Sequence, residues 1–97
     1  MDIKKDAAGT LIFRGQFIVS EIETAHSKIE PLFDETIHET VLDLSGVTDI
    51  DISGLQLIYA MKKSAESEGT FRIKAVSPLV REYIMLAGFD VILKEVA

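Results

Sequence analysis

Apolar and polar positions along the chain switch between a period of about two and a period of about 3.6 residues, and each switch marks an element. Gly9-Thr10-Leu11-Ile12-Phe13 is a β-rich run behind a turn at Asp6-Ala7-Ala8-Gly9, with Ile3 to Lys5 placed as its hairpin partner. Ile22, Ala25, Ile29, Leu32 and Phe33 then recur at helical spacing, and Ser20 and Glu23 have the spacing of a capping box at that helix's start. Pro31 falls inside the pattern and predicts a break near Glu30, because proline has no amide hydrogen and clashes with the preceding turn. Thr40-Val41-Leu42-Asp43-Leu44, ending at Ser45-Gly46, is almost continuously apolar and predicts a strand covered on both faces.

A loop is expected over Val47 to Ile52. Ser53-Gly54-Leu55-Gln56 repeats the capping-box spacing, Leu55 to Glu68 favours helix, and Gly69 is placed to end it. Phe71, Ile73 and Ala75 alternate with Arg72, Lys74 and Val76, which reads as a strand with one wetter face. Ser77-Pro78 offers an N-cap followed by proline in the first helical position. Leu79, Val80, Tyr83, Ile84 and Ala87 supply a helical stripe, Gly88 stops it, and Val91 to Leu93 predict a last short strand. The order is β-β-α-β-α-β-α-β, an α/β fold in which right-handed crossovers give a mixed, mostly parallel sheet with helices packed on it. At 97 residues the chain is one domain, 1–97, with enough length for one modest core.

Composition narrows the chemistry. The absence of cysteine removes disulfides, thiolate zinc sites, iron–sulfur clusters and cysteine nucleophiles together. The longest apolar run, Leu57 to Met61, is too short to span a bilayer, and Met1-Asp2-Ile3-Lys4-Lys5-Asp6 lacks the apolar stretch of a signal peptide. A cytoplasmic location is the expectation. The net charge of −6 is carried by the first fifty residues, which hold ten acids against four bases, while the remainder is neutral. Such a domain is a poor ligand for nucleic acid and is repelled by anionic lipid, which leaves proteins and small molecules as partners.

Candidate catalytic groups are few. His26 and His38 have no second ligand at metal-binding spacing, and His26 reads as a helix-surface residue. There is no nucleophile elbow and no phosphate loop, so neither an enzyme nor a cofactor is expected. Asp49 and Asp51, just before a helix, read as turn formers and solvated anions in preference to a paired acid and base or a Mg²⁺ site. Phe13, Phe17, Phe33, Phe71 and Phe89 read as core or core-edge residues. The informative stretch is Val41 to Leu55, which sets Ser53 at a strand-to-helix switch beyond a strand's C-terminal edge, where open α/β sheets place their sites. On spacing alone Ser53 reads as an N-cap whose hydroxyl accepts the Gln56 amide hydrogen.

This stretch, V-L-D-L-S-G-V-T-D-I-D-I-S-G-L, resembles the signature of the STAS domain family, the fold of bacterial anti-sigma factor antagonists and of the cytoplasmic tails of sulfate transporters. Gly69-Thr70-Phe71-Arg72-Ile73 resembles the family's next strand, and Ser77-Pro78-Leu79-Val80-Arg81 with Leu86-Ala87-Gly88-Phe89 resembles its last helix and closing turn. The family's phosphorylated residue, the serine or threonine before the turn glycine, corresponds to Ser53, with Asp51 as the acid that opens the turn and Gly54 as its glycine. Ile52 and Gln56 depart from the small residues common at those positions.

The resemblance implies a phospho-switch. Unphosphorylated, the domain would bind a serine kinase that doubles as an anti-sigma factor. Phosphorylated on Ser53 it would let go, and a phosphatase would reset it. Asp49, Asp51, Ile52, Gly54, Gln56 and Leu57 would form the switch loop and partner contact. A phosphoserine adds about −1.5 to −2 charges; the helix end should tolerate it, while its crowding with Asp49 and Asp51 should penalise docking. Two other roles follow from relatives of the family. One is an adaptor subunit of a lipid-transport ABC system or a chemotaxis-type sensor-kinase complex, without a phosphorylation cycle. The other is a sensor of nucleotides or small ligands, which the lack of a glycine-rich phosphate loop disfavours.

Overall fold

A computed structural model describes residues 1–32, 39–67 and 69–93. Four strands, β1 (Asp2–Lys5), β2 (Leu11–Phe17), β3 (Glu39–Ile50) and β4 (Thr70–Val76), form one sheet in the order β1-β2-β3-β4. The first pair is antiparallel, through the expected hairpin, and the other two pairs are parallel. Helices α1 (Ile22–Ile29) and α2 (Ile52–Glu66) supply the two crossovers, and α3 (Pro78–Leu86) follows the last strand. The α/β fold and its mixed sheet are as the sequence pattern implies.

The helices pack on the sheet face that carries Ile3, Leu11, Phe13, Phe17, Leu42, Leu44 and Phe71, and they close the core with Ala25, Ile29, Leu55, Ile58, Val80 and Ile84. Phe89 is half-buried against this core, and Phe33 lies outside the described residues, as does His38. The opposite sheet face exposes Lys4, Arg14, Ser45 and Lys74 to solvent. This corrects the expectation of a strand covered on both faces. Val41 is buried there outside the main core, beside its register partner Arg72, whose long side chain can cover apolar surface while its charge stays wet.

Other local expectations also give way. Ser45-Gly46 does not end β3, which runs on to Ile50 by pairing Gly46, Val47, Asp49 and Ile50 with β2 across two irregularities. A Cβ at Gly46 would stand 2.8 Å from Arg14 Cγ and 3.0 Å from the Phe13 carbonyl oxygen, so glycine permits this close passage. The segment 47–50, expected as loop, is therefore strand. α1 does stop at Ile29, and a 3-10 turn over Glu30–Leu32 follows, as Pro31 requires.

The capping box at Ser20 does not form. Val19–Glu21 make a 3-10 turn, and α1 starts behind Glu21 without a side-chain cap. α3 begins at Pro78 as expected, although the Ser77 hydroxyl donates to the Val47 carbonyl (3.3 Å) instead of capping the helix. Its end is a Schellman motif: Gly88 at φ +77° lets the Phe89 amide donate to Ile84 and the Gly88 amide to Met85. The chain then folds back, the Ile92 amide donates to Phe89, and Asp90–Leu93 form a 3-10 turn where a strand was expected. This local bonding satisfies the backbone and drives Ile92 fully into the core.

Candidate functional site

The candidate site lies where β3 hands over to α2. α2 starts three residues earlier than the Leu55 start expected, with Asp51 in extended conformation as its N-cap. One carboxylate oxygen of Asp51 accepts from the Ser53 amide (3.0 Å) and the Gly54 amide (3.2 Å), satisfying two of the donors that a helix start leaves open. The other accepts from the Val19 amide at 2.9 Å, tying the turn after β2 to the start of α2. The Asp51 amide in turn donates to the Phe17 carbonyl (3.3 Å).

Gly54 is buried where α2 crosses the end of β2. A Cβ there would sit 2.3 Å from the Phe17 carbonyl oxygen and about 3 Å from Ile50 and Phe17 side-chain atoms, so only glycine fits. Asp51 and Gly54 thus build the turn that presents Ser53.

Ser53 is not the N-cap that its spacing with Gln56 suggests. It occupies the first helical turn, half-buried, and its hydroxyl makes no hydrogen bond with any described residue. Ile52 beside it is 45% exposed, and Val19 across the turn is 68% exposed. Asp49 is exposed and accepts from the Ile50 amide, Gln56 is exposed, and Leu57 is half-buried. The structure therefore brings Asp49, Asp51, Ile52, Ser53, Gly54, Gln56 and Leu57 to one corner of the domain, with Gly54 beneath the surface.

Ser53, Gln56 and Leu57 form one wall of a hollow of about 590 Å³, and Val19, Ser20, Ile22 and Glu23 line it from the other side. Sequence reasoning missed the β2–α1 side of this hollow. Its only trace in the sequence is Val19, an apolar residue left unassigned between the strand and the helical stripe.

Asp43, on the open sheet face, is the described carboxylate with a displaced pKa. The Ser45 hydroxyl donates to it at 2.6 Å and the Ser45 amide at 2.9 Å, and together they hold it below the ordinary carboxylate range against the opposing effect of partial burial. Lys74 and Arg14 act in the same direction from farther off. Its bonds are local, and it takes no part in the Ser53 corner.

A family model described as "Mlab, STAS domain" matches residues 3–94. The chain belongs to the STAS domain family. The fold agrees. The structure titled "Structure of the Anti-Sigma Factor Antagonist SpoIIAA in its Unphosphorylated Form" superposes with a TM-score of 0.70 at 17% identity, over 99% of this chain and 87% of that one. No curated protein matches the chain. This STAS domain contains no described helix long and apolar enough to cross a membrane.

Proposed function

We propose that this STAS domain is an anti-sigma factor antagonist-like phospho-switch with Ser53 as its reversible phosphorylation site. The observation that carries the reading is a serine hydroxyl free of internal bonds, held on a rigid helix start between two exposed apolar side chains, Ile52 and Val19. Unphosphorylated, this corner docks on a serine-kinase anti-sigma factor in the cytoplasm; phosphorylated, it lets go, and a phosphatase restores it. The chain itself performs no catalysis in this scheme. The SpoIIAA structure, described as an antagonist in its unphosphorylated form, supports the analogy.

The cap geometry sharpens the expected effect of a phosphate. Asp51 already takes the Ser53 and Gly54 amides, so a phosphate on Ser53 finds those donors occupied and a carboxylate two residues away. Its charge stays at the surface, where a partner must desolvate it together with Asp49.

Incubation with a cognate serine kinase and ATP should add one phosphate to the wild type and none to Ser53→Ala. Ser53→Asp should weaken partner binding at least about tenfold (~1.4 kcal/mol) with little change in thermal stability. Undiminished labelling of Ser53→Ala, or equal affinity of Ser53→Asp, would overturn the reading. Ile52 favours a second role, as an adaptor in a lipid-transport ABC system or a chemotaxis-type sensor-kinase complex. A branched apolar side chain, 45% exposed beside the hydroxyl, suits a permanent contact better than a kinase's approach. Co-purification of the Ser53→Asp protein with such a complex would select this role.

A further inference from the structure

We propose that the seam between α1 and α2 is a docking groove for a partner's amphipathic helix whose apolar stripe is flanked by basic residues, and that this contact works whether or not Ser53 is charged. α1 ends after eight residues while α2 runs for fifteen, so among the described residues α2 continues past the end of α1. On α2 Ala60 and Ser64 are small and exposed, one turn apart, and leave a cleft of about 260 Å³ floored by Ile29, Leu57 and Met61. Through Leu57 and Ala60 this cleft joins the hollow beside Ser53. From Ser53 to Ser64 the helix rises ~16 Å, room for about three turns of a docked helix.

The charge on the rim decides the occupant. Glu23 in the first turn of α1 and Glu30 at its C-cap line the groove seven residues apart, and the helical backbone of the cap keeps them on one side, about two turns from each other. Both are exposed, and neither has an ion-pair partner among the described residues. Among the described residues no lysine or arginine lines either hollow, and His26, between the two glutamates, is the remaining titratable side chain there.

A second copy would bring the same acidic rim and another net charge of −6, and an anionic lipid surface or a nucleic acid would be repelled likewise. A helix with apolar anchors in the cleft and lysines or arginines seven apart complements both the floor and the rim. This proposal does not rest on the phosphorylation of Ser53.

The test uses the full chain and a labelled synthetic peptide of about 15 residues, with leucines at helical spacing flanked by lysines seven apart, and a twin in which glutamates replace the lysines. By fluorescence anisotropy the lysine peptide should bind at least about tenfold more tightly than its twin. Ala60→Arg, or Ser64→Arg should the first variant melt early, should weaken that binding by about the same factor. Glu23→Lys with Glu30→Lys should reverse the preference between the peptides, and Ser53→Asp, which adds an acid to the same hollow, should keep or tighten binding of the lysine peptide. Equal binding of the two peptides, or an undisturbed folded groove variant, overturns the proposal. Loss of binding in Ser53→Asp also overturns it, by assigning the groove to the Ser53 switch itself.

Discussion

Ser20 and Ser53 each stand three residues before a glutamate or glutamine, yet the helices that follow them begin in different ways. At Ser20 the chain first makes a 3-10 turn, and α1 starts with no side chain on its open amides. At Ser53 the cap comes from two residues earlier, where Asp51 grips two amides of α2 and, with its second oxygen, the amide of Val19. A capping pattern read along the chain assumes that the serine competes alone for those amides. Here a carboxylate arriving at the end of β3 wins them, because an ionised acceptor makes the stronger bond. The same carboxylate holds the turn that leads into α1, so one residue organises both helix starts and leaves the Ser53 hydroxyl unspent.

Substitutions can break this contrast, and the steric one should be the most severe. Gly54→Ala forces a Cβ against the Phe17 carbonyl oxygen and should cost about 2–4 kcal/mol in chemical denaturation, because α2 must lift from β2. Asp51→Ala should cost about 1–2 kcal/mol for the cap and also speed hydrogen exchange at the Val19 amide; Asp51→Asn, which keeps an acceptor oxygen, should lose about half as much.

Ser20→Ala and Ser53→Ala should each stay within about 0.5 kcal/mol of wild type, since neither hydroxyl caps its helix. A large loss in either would restore the capping box. The smallest effect belongs to the purely local grip of Ser45 on Asp43. The folded pKa of Asp43 is depressed, so its stabilisation is present above the unfolded pKa and lost as pH falls through the folded one. The gap in denaturation midpoint between wild type and Ser45→Ala should therefore be small at neutral pH and close on acidification.

Much of this was legible in the sequence because it is written locally. Pro31 breaking α1, Gly88 ending α3 and the alternation of Phe71 to Val76 each depend on neighbours within one turn or one strand. The resemblance carried by Val41 to Leu55 located the Ser53 corner for the same reason. What escaped was non-local. β3 runs through Ser45-Gly46 because β2 pairs with it there, and Gly54 is required by the carbonyl of Phe17 far back in the chain. Val91 to Leu93 has the composition of a strand, yet the Schellman turn before it bends the backbone away and buries Ile92 instead.

The bond from the Val19 amide to Asp51 spans thirty-two residues. Bringing the ends of such a loop together costs roughly 3 kcal/mol of chain entropy beyond a fixed constant. Only the assembled β2–α1–β3 unit repays that cost, through its parallel strand pairing. The Ser53 corner is consequently a property of the folded domain. A peptide cut from residues 41–60 would carry every motif residue but neither the Phe17 carbonyl nor the Val19 amide that shape the turn. An enzyme or partner that recognises Ser53 by this geometry inspects, in the same act, whether the domain has folded.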